Sequence, residues 1–170
     1  FITHTVWMMD GGGYVASVVE HIVHPVDICE TGCLTTAPWD RSLFESMYAR
    51  ADGMRVSMDE DIKGGIVPHH LLAGYLDAIF FESLQRQRPS TVVIIGPDHF
   101  SRNRGSVATA LESWQTPFGD VEADRDAVTR IASLPFVSLQ PDALSEEHSI
   151  YGLIPFVRKS LPEATIIPIT

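Results

Sequence analysis

From Ile62 onward the apolar positions of this chain fall into short blocks separated by turn residues, and the blocks alternate between two periods. The stretch "IKGGIVP" predicts a short buried strand. "HHLLAGYLDAIFFESLQRQR" then places Leu72, Tyr75, Leu76, Ile79 and Phe80 at helical spacing, with Arg86 and Arg88 in the last turn and Pro89 as the stop. "TVVIIGP" is a β-branched run too short for a helix and apolar enough for a strand covered on both faces. The same grammar continues. "GSVATAL" predicts a strand, "VEADRDAVTRIASL" a helix with acids in its first turn, and "FVSL" a weak strand. "EHSIYGLIPFVRKSL" predicts a helix kinked at Pro155, and "ATIIPI" a last strand. This alternation implies an α/β fold, a three-layer αβα sandwich around a mostly parallel central sheet.

Upstream the pattern is weaker. Residues 1–38 show no sustained period, while Asp40 to Ala51 reads as a short amphipathic helix capped by Asp40, with Leu43, Phe44 and Met47 on one face. The expected organisation is an N-terminal extension with one helix over 1–61 and an α/β domain over 62–170.

Composition narrows the function classes. With 170 residues, 45% of them hydrophobic, the chain is long enough for a globular domain with a buried core. A formal charge of −10 without a basic patch argues against nucleic acid or an anionic membrane as the main partner. No apolar run approaches a membrane span, and a cytoplasmic location is the default expectation. Cys29 and Cys33, in "CETGC", are spaced one residue wider than the usual redox or zinc pair, and no second pair follows. They read as two thiols in a loop, with a local disulfide or a metal contact as the alternatives.

The candidate chemistry lies in histidines. "GGIVPHH" and "VVIIGPDHF" share one arrangement, an apolar run, then proline, then histidine. Parallel strands joined by a right-handed crossover end on the same sheet edge, where ligands of open α/β folds bind. His69 and His99 would therefore converge there as metal ligands, with His70 in a supporting position. Imidazole suits iron, copper, zinc or nickel, and two histidines plus one carboxylate is the facial set of non-haem Fe(II) oxygenases. Asp98, Glu146 and Glu147 are the nearby carboxylates, although capping a turn or helix start explains them as well. Trp114 and Phe118, around the Thr-Pro turn of "SWQTPFG", either wall a small-molecule pocket or fold back on the core.

"GGIVPHHLLAG", "VVIIGPDHF", "WQTPFG", "EEHSIYGLIPF" and "ATIIPI", in unbroken order over residues 62–170, resemble the Memo family, also called AmmeMemoRadiSam system protein B. That family is similar in fold to class III extradiol, LigB-type, ring-cleaving dioxygenases. The resemblance implies metal-ligand roles for His69 and His99 and a catalytic role for His148 on the substrate side. It implies a divalent cofactor, Fe(II) before copper or zinc, and chemistry in which a catechol-like substrate meets dioxygen while a histidine moves protons. A peptide-binding module without catalysis and a metal-dependent hydrolase are the alternatives. "PHHLLAGY" departs from the "PHAGY" of many relatives, so nothing is carried onto Tyr75. In the family an "SDF.H"-type segment and a third ligand, glutamate or cysteine, follow the "TIIPI" strand. Neither lies in these residues, so the expected domain is incomplete at its C-terminal side. His148 itself is expected to lean toward the crevice of His69 and His99, within about 10 Å of them.

Overall fold

The computed structural model describes residues 34–35, 39–54, 61–103 and 107–170. Cys29 and Cys33 lie outside these residues. Strand β1 (Leu34–Thr35) precedes helix α1 (Arg41–Ala51), whose start is capped by Asp40 Oδ1 accepting from the Ser42 N–H at 3.0 Å. Helix α2 (Gly74–Ser83) follows a single 3-10 turn at Leu71–Ala73, then strand β2 (Thr91–Ile95). Strand β3 (Val107–Thr109) leads to a hairpin of β4 (Trp114–Thr116) and β5 (Gly119–Val121). Helix α3 (Arg125–Ala132), strand β6 (Val137–Leu139) and the short helices α4 (Pro141–Ser145), α5 (His148–Tyr151) and α6 (Ile154–Ser160) precede strand β7 (Thr165–Ile169).

The fold is α/β with mainly parallel pairing, and its strands form small hydrogen-bonded sets. β2 pairs with β7, β1 with β4 and β3 with β6, all parallel, while β4 and β5 are antiparallel. Backbone bonds between Ala108 and Thr170, at 2.8 and 3.1 Å, link the β2–β7 pair to the β3–β6 pair. Pro168, inside β7, has no N–H to give to a neighbour. On that side Ile166 donates to Glu122 O and Thr170 to Ala108 O, so the proline occupies the one gap between two partners. Its carbonyl accepts from Thr109 Oγ1 at 2.7 Å.

One core joins these elements. Phe44 and Met47 of α1, Phe81 of α2, Phe156 of α6, Trp114 of β4 and Ile166 of β7 all belong to it. α1 is thus built into the same core as the elements downstream of residue 62. Phe156 is the centre of the aromatic part, 5.2 Å from Phe44 and 6.3 Å from Phe81 between ring centroids.

Four expectations are corrected. Residues 61–69 form neither helix nor strand. Ile66 is fully exposed, and the segment is tethered by Gln87, whose side-chain amide bonds both the N–H and the carbonyl of Ile62 at 2.9 and 3.0 Å. Gly64 and Gly65 remove the side chains that would reward sheet pairing there. Helix α2 stops at Ser83, before Arg86 and Arg88. Arg88 precedes proline, is barred from the helical region for that reason, and takes φ +46°. β2 is not covered on both faces: Ile94 is buried, whereas Val93 and Ile95 are 52% and 75% exposed. The expected 147–161 helix is two helices, and Pro155 sits in the first turn of α6, where its missing N–H costs nothing.

Candidate metal centre

Each histidine of the site arrives from a different piece of chain. His69 ends the 61–69 segment, His99 follows β2 by way of Gly96 and Pro97, and His148 opens α5. Their ring centroids lie 4.9 Å (His69–His99), 5.3 Å (His69–His148) and 4.3 Å (His99–His148) apart. One nitrogen from each falls within 4.8 Å of the others, and all three rings are half-buried. These three histidines could hold a metal ion. The donor set is borderline-soft imidazole, which suits iron, copper, zinc or nickel rather than magnesium or calcium.

Close approach makes the cluster possible. A Cβ on Gly96 would run into Ser149 Oγ and lie 2.9 Å from Ser149 Cβ, so only glycine lets the β2 exit meet the start of α5. Ser149 Oγ also donates to Pro97 O at 3.1 Å. Glu147, 1% exposed, completes the junction. Its Oε2 accepts from the His99 backbone N–H at 2.7 Å, and its Oε1 contacts His99 Nδ1 at 2.7 Å and accepts from the Ser149 N–H at 2.9 Å. His148 Nδ1 lies 3.4 Å from the same Oε1.

The electrostatics follow from burial and these bonds. Desolvation works to raise the Glu147 pKa, but the Ser149 and His99 N–H groups outweigh it and hold the carboxyl below its usual range. Burial pushes His148 down to about 4, helped by the neighbouring His99, His69 and His70 and opposed by Glu147. His148 is therefore neutral at pH 7, the form in which imidazole ligates a metal.

The structure brings His69, His99 and His148 together, with His148 nearer the pair than the pocket-sized separation expected. The carboxylates do not complete the set. Asp98 accepts from the Arg102 and Asn103 N–H groups, both at 3.0 Å, so it closes the turn after His99. Glu146 pairs with Arg102 at 2.6 Å, and Glu147 supports the histidines from behind. His70, whose ring is 5.7 Å from that of His148, stands beside the cluster. Trp114 is fully buried in β4, and Phe118 packs on Phe44 under Arg41 and Lys159. Trp114 belongs to the core and Phe118 is a partly buried ring packed against it, so of the two roles open to them both rings fold back on the core. The aromatic at the histidines is instead Phe100, 48% exposed, with its ring 6.0 Å from His148 and 6.4 Å from His99. Its signal was its position directly after His99. Glu147 was legible only as an acid near a helix start.

Comparison with known proteins gives the family. The model of the Memo-like protein family matches residues 40–170. The chain belongs to the Memo-like family. A MEMO1 family protein of Thermococcus onnurineus is 32% identical over 143 residues, 78% of this chain and 49% of that protein. MEMO1 family proteins of Pyrobaculum aerophilum and Methanococcoides burtonii are 32% and 36% identical over 111 and 103 residues, covering 62% and 59% of this chain. The chain spans about half or less of the length of these relatives, from 38% to 49%. The Memo-like match begins at residue 40, so it takes in α1 as well as the elements after 62. No helix among the described residues is long and apolar enough to cross a membrane.

Proposed function

We propose that this Memo-like chain binds a divalent metal ion, Fe(II) before copper or zinc, through His69, His99 and His148, and that the site supports dioxygenase-like chemistry of the LigB kind on a small, catechol-like molecule in the cytoplasm. The observation that carries the reading is the approach of three imidazole nitrogens to within 4.8 Å of one another. A metal bound there would act as a Lewis acid and as a template for substrate oxygens. The chain's own residues do the rest. Three protein ligands leave coordination positions for small molecules. Phe100 offers an aromatic face beside His99 and His148 for a planar ring. His70 stands next to the cluster, within reach of a group held there. The charge of −10 disfavours polyanionic partners, so nucleic acid and anionic membranes are not proposed.

The test has two stages. Anaerobic reconstitution with Fe(II), followed by metal analysis, should give about one ion per chain in the wild type. Oxygen uptake is then followed with a panel of catechols. Oxygen consumption matched to ring-opened product supports the enzyme reading. Stoichiometric metal without turnover, together with retention of a peptide ligand, would replace it with the binding-module reading.

A further inference from the structure

A helix cap needs one acceptor, and Glu147 makes more bonds than a cap requires. Its bond to the Ser149 N–H satisfies the start of α5. The other two contacts, with the backbone N–H and Nδ1 of His99, reach across 48 residues of chain to the loop after β2. A fourth group, His148 Nδ1, stands 3.4 Å away. The carboxylate is 1% exposed, a costly place for a charge unless every oxygen is engaged.

We propose that Glu147 is the positioning residue of the cluster, a carboxylate carried by the start of α5 that sets the tautomer and ring orientation of His99. This rests on the metal reading given above. An ionised carboxylate only accepts hydrogen bonds, so the His99 nitrogen that meets it must carry the proton. With Nδ1–H fixed on Glu147, the lone pair of His99 is on Nε2, the nitrogen it can offer to an ion. His148 Nδ1 stands 3.4 Å from the same Oε1, a close electrostatic contact and not a hydrogen bond, so the tautomer assignment is made for His99. A carboxylate behind a ligating histidine fixes the ring and raises its basicity, and loss of such a partner typically costs roughly 10- to 100-fold in metal affinity. Glu147 does this from the start of α5 for a ring on the loop after β2.

The inference is tested on the whole chain with Co²⁺ as a spectroscopic probe and with ¹⁵N–¹H correlation of the imidazole nitrogens. In the metal-free wild type, His99 should be the Nδ1–H tautomer. Glu147→Gln keeps the size of the side chain but faces three N–H donors with one oxygen, and it should bind Co²⁺ roughly 10- to 100-fold more weakly and mix the His99 tautomers. Glu147→Asp, which keeps the charge, should recover part of the affinity. A wild-type His99 protonated on Nε2 overturns the proposal without any metal measurement, even if the variants fail to fold. So does unchanged Co²⁺ affinity in folded Glu147→Gln. Failure of the wild type to bind Co²⁺, Zn²⁺ or Fe(II) while His99 keeps its Nδ1–H would instead sink the metal reading and leave the tautomer assignment standing.

Discussion

Asp77 is the least expected residue in the core. It lies on the face of α2 that also carries Gly74, Ala78 and Phe81, is fully buried, and neither carboxyl oxygen has a hydrogen-bond partner. Burial pushes its pKa from 3.8 up to about 8. The sign follows from linkage. Between those two values the unfolded chain has lost a proton that the native state keeps, so native stability falls as pH rises through that window. One pH unit corresponds to about 1.36 kcal/mol for a single group. At pH 7 the deficit from Asp77 is therefore on the order of 4 kcal/mol, a large share of the 5–15 kcal/mol typical of a domain. His148 has the opposite sign. Its lowered pKa makes stability rise with pH from about 4 to 6.5, which would mask Asp77 in that range. Asp77 is best read above pH 6.5. We expect urea unfolding between pH 6.5 and 7.5 to show wild-type stability falling, relative to Asp77→Asn, by about 1 kcal/mol per pH unit. The nearly isosteric Asn cannot ionise, so it should be the more stable protein at pH 7.5. Parallel stability curves for the two proteins would show that Asp77 is ionised, or solvated, in the native state.

The other predictions concern the cluster. His69→Ala and His99→Ala should each abolish stoichiometric metal binding while leaving far-UV circular dichroism unchanged, since both rings sit at segment ends outside the core; metal analysis of purified protein checks this. His148→Ala should weaken binding in the same assay, and unchanged affinity would return His148 to the substrate side alone. In the metal-free protein the His148 ring should titrate near pH 4 by NMR, below an ordinary histidine, because burial and three histidine neighbours oppose its charge. Gly96→Ala should destabilise the chain by about 1–3 kcal/mol through overpacking, read by urea unfolding, because its Cβ meets Ser149. The same variant should loosen metal binding by parting the β2 exit from α5.

Much of the site was legible because it obeys local rules. A β-branched run followed by Gly-Pro and a histidine marks a strand that ends at a ligand-binding edge, and β2 with His99 follows that rule. The Asp40 cap, α3 and β7 were legible for similar reasons, each having a strong period or a capping side chain. "GGIVP" was misread because its apolar residues suggest burial, whereas its glycines leave it unpaired. The β4–β5 hairpin was missed because three-residue strands carry almost no period. Its turn did leave a trace: Gly119 has φ +110°, and Thr116 Oγ1 accepts from the Phe118 N–H and donates to Gly119 O. Glu147 was legible in the sequence only as a carboxylate near a helix start, since its partner His99 lies 48 residues away and becomes a neighbour only when β2 and α5 meet.

The three histidines also differ in how firmly the fold holds them. His148 is fixed from both sides, by a buried helix whose Ser149, Ile150 and Tyr151 are all in the interior and by the Glu147 junction. His99 is fixed at its backbone and its ring by the same carboxylate, and the Asp98 turn closes the chain behind it. His69 ends a segment without sheet pairing, held where the Gln87 amide bonds Ile62, seven residues away, and where Ile62 and Val67 pack against the core. One acidic junction thus holds the β2 exit with His99 to the start of α5 with His148, while His69 comes from a segment held by a side-chain amide and two apolar contacts. An ion bound by all three would link that segment to the junction of β2 and α5, and by mass action it would stabilise the folded chain.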